Sequence, residues 1–258
     1  MKADFDQAAA NYDHTFTHTE IGQMQRALVY GELSNHLHGI QTILEINCGT
    51  GEDAVWLAKQ NLNVTATDIS TKMIEVAKNK GHFENLNFRV ADINSIATTF
   101  ENEKFDLLFS NFGGLNCLSK PELGRFFREI SSILSPQGKM ALVIMPKNTL
   151  WERLYFLAKA QFKNSSRRKK ASVIAKVDGE NVTTFYYNPK DIVTLANTNF
   201  EITAVKPIGF FVPPSYLNDF FTNKKGLLRF LNRLEQGVKH WSWLSKYADH
   251  YLIILQKK

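Results

Sequence analysis

Cysteine is scarce: 258 residues carry two, Cys48 and Cys117, in different segments. That count leaves no basis for a disulfide framework or a metal-ligand spacing, and it fits a reducing compartment. Long apolar runs are missing as well. No stretch approaches the roughly 18 consecutive apolar residues that span a bilayer, and the opening MKADFDQAAANYD lacks the apolar core of a signal peptide. The expectation is a cytoplasmic protein with no metal. Charge of one sign does not dominate either: the net charge is +6 and the pI about 9.2, enough to permit an anionic partner and ordinary for a solubilising surface. Hydrophobic residues at 44% and charged residues at 22% exclude disordered and fibrous classes. With no internal repeat and no linker, the chain reads as one domain over 1–258.

What is present is a rhythm. Strand signals at TILEIN (42–47), NVTATD (63–68), LNFRVAD (86–92), FDLLFSN (105–111) and KMALVIM (139–145) alternate with helical stretches at 51–60, 71–80, 94–98 and 120–134. Several strands are near-continuous apolar runs, as strands covered on both faces require. The alternation predicts an α/β fold with a doubly wound parallel sheet. Punctuation supports the boundaries: Ser70 can cap the helix that stops at Gly81, Ser119 and Glu122 can form a capping box, and Pro136 with Gly138 make the turn before the fifth strand.

Ahead of the first strand, Ile21, Met24, Leu28, Val29, Leu33 and Leu37 recur at helical spacing. Beyond residue 145 the rhythm breaks. A helical segment over 148–162 leads into KNSSRRKKAS; then come an extended VTTFYYN, a helix from Pro189, a strand FEITAVKPIGFF, a helix near 224–236 and a final strand HYLIILQ. The division is 1–39 as N-terminal cap helices, 40–146 as a ligand-binding core, and 147–187 with 209–248 as inserted, acceptor-covering segments.

Chemistry-bearing residues gather where the strands end. In an open α/β sheet, ligands bind outside the carboxyl ends of the strands, where the strand order reverses. EINCGTG lies between the first strand and its helix, and Gly49 and Gly51 let the backbone turn tightly. Asp68 ends the second strand, where a carboxylate can accept both hydroxyls of a ribose. Asp92 ends the third; an acid there suits the exocyclic amine of an adenine, with Ile69 and Ile93 as apolar faces for the ring. Gly49, Gly51 and Ala54 also satisfy G-x-G-x-x-[GA], the mark of a dinucleotide pyrophosphate at a helix N-terminus. Here Glu45, Glu52 and Asp53 surround the turn, a concentration of negative charge better suited to an ammonium and a sulfonium.

ILEINCGTGEDAVWLA, VTATDISTKMIEVAK, FRVADI, FDLLFSNFGGLNCL and ILSPQGKMALVIM, in this order, resemble the successive motifs of the class I S-adenosylmethionine-dependent methyltransferases. The leading FDQAAANYD is similar to the segment preceding the fold in small-molecule members. The resemblance implies a Rossmann-like seven-stranded sheet with its last strand antiparallel, S-adenosylmethionine as cofactor and S-adenosylhomocysteine as product. It places Glu45, Asn47, Cys48, Gly49, Thr50 and Gly51 at the methionine part and Asp68 at the ribose, with Met73 nearby. Asp92, Ile93, Ile69 and Ala91 fall at the adenine, Ser110, Asn111 and Phe112 on the floor beside the sulfonium, and Tyr12 over the cofactor. Asn47 replaces the first glycine of the family pattern. Asparagine tolerates positive φ best after glycine, so the turn is expected to keep its shape.

A methyl sulfonium is already electrophilic, so the protein must mainly align a nucleophile in line with the methyl and exclude water. A base is needed only for a protonated acceptor; His14, His18, Tyr186 and Tyr187 are candidates. No Asp/Asn-Pro-Pro-aromatic box follows the fourth strand, where NFGG stands, and Cys117 does not follow a proline, so nucleic acid is disfavoured and a small molecule favoured. Trp151, Tyr155, Phe156, Phe162, Phe210, Phe211, Tyr216, Phe220 and Phe221 can build an apolar lid over a hydrophobic or aromatic acceptor, or simply pack the inserted segments together. The basic run at 167–170 reads as a solvated loop or as a contact for an acidic substrate. The alternatives are an NAD(P)-dependent oxidoreductase and a non-catalytic S-adenosylmethionine-binding protein associated with RNA. A monomer or a dimer is expected.

Overall fold

In the computed structural model, residues 6–177 and 180–258 are described. The first five residues of the N-terminal cap segment therefore lie outside the described residues. Nine strands are assigned: β1 (Thr42–Ile46), β2 (Asn63–Asp68), β3 (Leu86–Val90), β4 (Phe105–Ser110), β5 (Leu134–Ile144), β6 (Val173–Val177), β7 (Glu180–Thr184), β8 (Phe200–Ile208) and β9 (His250–Lys257). Seven form one sheet in the order β3-β2-β1-β4-β5-β9-β8, and β6 pairs with β7 in a separate hairpin. The helices are α1 (Glu20–Leu33), α2 (Glu52–Ala58), α3 (Thr71–Lys78), α4 (Ile96–Thr99), α5 (Lys120–Glu129), α6 (Leu150–Ala158), α7 (Pro189–Ala196), α8 (Asn218–Phe221) and α9 (Lys225–Val238).

The central strands are apolar on both sides because both sides are covered. Side chains alternate across a strand, so neighbours in sequence enter opposite cores. Ile43, Leu107, Ala141 and Ile254 join the core beneath α1, α2 and α3. Leu44, Leu108, Leu142 and Ile253 join the core shared with α5 and α7. The parallel register Ile43↔Leu107 and Leu44↔Leu108 keeps the two sets apart. Each such leucine or isoleucine, buried completely, contributes roughly 1.5–3 kcal/mol, and a one-residue slip would send every one to the wrong face.

The expected caps form. Ser70 Oγ accepts from Met73 N at 3.1 Å, and Ser119 with Glu122 makes the capping box at α5. The sheet is parallel from β3 to β5, while β9 runs antiparallel to both β5 and β8, as the resemblance implied. Strand order reverses between β1 and β4, which opens a crevice at their carboxyl ends. Because β9 is antiparallel, its first residue, His250, lies at that same edge, and Ile144 at the end of β5 pairs with Tyr251.

Three expectations need adjustment. The fifth strand starts at Leu134, not 139, and the expected turn at Pro136 and Gly138 survives as an irregularity in which Gln137 takes φ +59°. The helix expected over 148–162 spans only Leu150–Ala158. VTTFYYN is extended in part, but its strand pairs with Val173–Val177, a segment whose short apolar run carries no periodicity signal of its own.

Candidate active site

The turn between β1 and α2 is built on three left-handed residues: Asn47 at φ +57°, Gly49 at +53° and Gly51 at +76°. At Gly51 a Cβ would meet Ala77 Cβ and the Phe88 ring at 2.8 Å, so only glycine fits between α3 and β3. At Gly49 a Cβ would meet nothing within 4 Å; the turn faces open space there. Asn47 keeps the turn in shape because its side chain lies against the next loop. A Cβ on Gly114 would sit 2.5 Å from Asn47 Cβ, and Asn47 Nδ2 reaches Ser110 Oγ at 3.5 Å. The glycine missing at 47 is in effect supplied at 114.

Asp68 ties the turn to β2. Its Oδ2 accepts from Gly49 N and its Oδ1 from Ser70 N, both at 2.9 Å. Burial pushes its carboxyl up, and the backbone N–H groups of Ser70, Gly49 and Ile69 pull the other way. A carboxylate offers about four lone-pair sites, so acceptor capacity remains for a further donor. Asp92 caps the following turn through Asn94 N at 2.8 Å, with Ile93 buried beside it and Ala91 partly buried.

The acids around the turn are not the free negative cluster expected from the sequence. Asp53 is buried and paired with Arg26 of α1; it also accepts from Tyr30 Oη at 2.7 Å and from Asn111 Nδ2 at 3.1 Å. Burial opposes the Arg26 charge, and Asp53 and Tyr30 together with Tyr12 more than offset it. Glu52 pairs with Lys80 at 3.0 Å, and the same ammonium holds Asp13 at 2.7 Å. Asp13 in turn accepts from Thr50 Oγ1 at 2.6 Å. The acid left over is Glu45. It is buried, its Oε2 has no hydrogen-bond partner among the described residues, and burial, then Asp53, pushes its carboxyl well up while Arg26 lowers it. Arg26 Nε is buried without a partner too.

The N-terminal segment covers this turn. Ala8 and Ala9 pack on Met73 with Tyr12 beside them, so Met73 lies beneath the segment. Burial pushes the Tyr12 phenol up to about 12. The Phe16 ring meets Tyr12 at 5.7 Å and Phe112 at 5.1 Å, and the Arg26 guanidinium lies 5.2 Å from the Phe112 ring centroid. Phe112 itself holds φ +41°, strain that persists where surroundings over-determine a residue. Ser110 is fully buried, and Asn111 turns its amide toward Asp53. Cys48 is buried among apolar neighbours, which pushes its thiol up.

The four expected bases do not converge. His14 and His18 are exposed. Tyr187 Oη donates to Leu118 O at 2.6 Å inside the core, and Tyr186 is buried under the Arg168 guanidinium, 4.7 Å away. The basic run is not simply solvated. Arg168 is buried, with Nε 2.8 Å from Glu152 and a second nitrogen 3.4 Å from Asp249, while Arg167 makes a two-point contact with Glu152 at 2.7 and 3.2 Å. Aromatics of the inserted segments also divide: Trp151 meets Phe221 and Tyr155 meets Tyr216, but Phe162, Tyr216 and Phe220 are exposed.

Sequence reasoning missed Arg26, Asp53 as its partner, and the pair Asp249–His250. Arg26 follows the buried Gln25 on an otherwise apolar helix face, a signal that was available. Nothing local marked Asp249 and His250. His250 Nδ1 lies 3.2 Å from Asp249 Oδ2, and its ring meets Phe112 edge-on at 5.5 Å. Asp249 is buried, yet His250, Arg168 and Gln25 outweigh that burial and hold its carboxyl down to about 2.

Residues 43–138 match the family model described as a methyltransferase domain. Over 233 residues the chain is 27% identical to an uncharacterised protein of Methanocaldococcus jannaschii, covering 85% of this chain and 86% of that one. A ubiquinone/menaquinone biosynthesis C-methyltransferase of Rickettsia massiliae is 32% identical over 107 residues, 38% of this chain and 41% of its own length. Among solved structures, a protein of Methanosarcina mazei described as a SAM-dependent methyltransferase aligns with TM-score 0.60 and 21% identity, covering 88% of this chain and 97% of the other.

Proposed function

We propose that the chain is a class I S-adenosylmethionine-dependent methyltransferase, a reading supported by its methyltransferase-domain match at residues 43–138 and its seven-stranded fold, and that it methylates a small apolar or aromatic acceptor by in-line displacement. One observation carries the cofactor site: among the buried polar atoms without a partner in the described residues are Glu45 Oε2, at the end of β1, and Arg26 Nε, on α1 over the turn, an acid and a cation. They complement the ammonium and the carboxylate of an amino acid. Buried polar groups without partners are rare and costly, so a ligand that satisfies both is the economical explanation.

The cofactor supplies a methyl group already activated on a sulfonium. What the chain adds is position and exclusion of water. Glu45 and Arg26 hold the amino-acid end, Asp68 accepts from a ribose hydroxyl, and Asp92 with Ile69, Ala91 and Ile93 borders the adenine. Tyr12, Phe16 and Phe112 close the crevice on the acceptor side. For an acceptor that must lose a proton, His250 is better placed than His14, His18, Tyr186 or Tyr187, because it stands at the strand edge beside Phe112, with the Asp249 carboxylate 3.2 Å away to favour its protonated form. An NAD(P) reading has no comparable support: the domain match at residues 43–138 is to a methyltransferase domain.

Thermal denaturation tests the reading. S-adenosylhomocysteine at a hundred times its dissociation constant should add about 2.7 kcal/mol of stability. Asp68→Ala should remove most of that gain while leaving the free protein folded. Stabilisation by NAD(P) and none by S-adenosylhomocysteine would overturn the assignment.

A further inference from the structure

One feature lies outside the methyl-transfer site and is not explained by it. On α9, Leu227, Phe230 and Leu234 recur at spacings of three and four, so they share one stripe of the helix. All three are exposed, Phe230 by 54%. The chain then turns through Trp241 and Trp243, exposed by 52% and 60%, whose rings stack at 6.2 Å. The helix cannot roll to hide this stripe. Glu235, on a neighbouring face, is fully buried and accepts four backbone N–H groups, from Gly209, Phe210, Phe211 and Val212, at 2.6–3.1 Å.

The polar side of α9 is basic. Over residues 215–248 six Lys and Arg stand against two acids, Asp219 and Glu235, and Glu235 is consumed in its cage. Lys225 pairs with Glu20 of α1 and Lys239 faces Glu32. Among the described residues, no acidic partner is found for the exposed Arg229 and Arg233. A helix with an aromatic and leucine stripe, tryptophans at its end and a cationic flank has the make-up of one that lies in a lipid interface. A second copy of the chain fits less well, because a twofold contact across this face would bring like charges together.

We propose that α9 and the Trp241–Trp243 turn form a docking surface for an anionic lipid bilayer, with the helix lying along the membrane plane. The apolar stripe enters the acyl boundary, and Arg229 and Arg233 reach the phosphate headgroups. This proposal stands apart from the methyl-transfer reading and can fail without it.

The test is co-sedimentation of the full-length chain with two kinds of vesicle, phosphatidylcholine alone and phosphatidylcholine containing phosphatidylserine. Binding to the phosphatidylserine vesicles is expected, about tenfold or more above that to phosphatidylcholine, and weakening as salt rises. Phe230→Ser with Leu234→Ser should abolish it, and Arg229→Glu with Arg233→Glu should reduce it about tenfold. Both double variants should stay folded and bind S-adenosylhomocysteine as wild type does, since all four side chains are exposed and none lines the methyl-transfer site. Absence of binding, or equal binding by wild type and variants, overturns the proposal. So does a concentration-dependent dimer that Phe230→Ser disperses in the absence of vesicle binding, because the stripe would then serve self-association.

Discussion

Residues 1–147 carry 13 Lys and Arg against 17 Asp and Glu, whereas residues 148–258 carry 18 against 8. Large hydrophobic side chains divide the same way: of twelve exposed among the described residues, Val90 alone precedes residue 150. The first part obeys the ordinary rule, with apolar side chains sealed between helices and sheet. Both parts bury charged groups, Arg26, Glu32, Glu45 and Asp53 in the first and Glu152, Arg168, Glu235 and Asp249 in the later one, but the later part also leaves leucine, phenylalanine and tryptophan outside. The difference teaches how each is held. Strands β1, β4 and β5 have a sheet to bury against, and non-directional burial suffices for them. The segments after β5 and β8 are fastened instead by directional polar contacts at a few points, which leaves apolar surface available for a partner.

Removing one such point should break the contrast most clearly. Glu235→Ala leaves four backbone N–H groups without their acceptor and should cost about 3 kcal/mol, read as a lower urea midpoint. It should also free α9 to bury its stripe, so vesicle binding should fall although no lipid-facing residue has changed. A variant as stable as wild type would show that burial, not the carboxylate cage, holds the helix.

A smaller effect should come from Asp249. Its carboxyl titrates at about 2 in the folded chain against 3.8 ordinarily. A depressed pKa gives stability that is present above the unfolded value and lost as pH falls through the folded one. Asp249→Asn should therefore cost roughly 2 kcal/mol near neutrality, and its deficit should shrink between about pH 4 and pH 2. A deficit independent of pH in that window would separate packing from charge.

Smallest of the three is the exchange at the glycine turn. Gly114→Ala should cost about 1 kcal/mol and loosen cofactor binding, because the new methyl overlaps Asn47. The double variant with Asn47→Gly should recover most of the loss. No recovery would mean that the two loops are coupled through something other than this contact.

Much of the core was legible because both periodicities are strong there. The strands of the first half, their caps at Ser70 and Ser119, and the antiparallel last strand all follow from local pattern plus the family resemblance. Asp68 was legible as a strand-end acid. The state of the other acids was not, because neutralisation of Asp53 depends on Arg26, 27 positions away on a different element. For the same reason the basic run at 167–170 was misjudged: composition alone cannot say that Glu152 and Asp249 wait inside for Arg168. His250 lies on a strand whose ligand-edge position follows from topology, which no local pattern reveals.

The insertion of β9 between β5 and β8 has a consequence for the chain as it is made. Until residues 250–257 emerge from the ribosome, β8 has no neighbour in the sheet and β5 has an open edge. At about 5–20 residues per second, the stretch from Gly209 to Asp249 takes roughly 2–8 s to synthesise. During that interval two apolar strand edges stand unpaired, a state prone to edge-to-edge association. A chaperone that shields these edges would therefore act after β8 is made and before β9 joins the sheet.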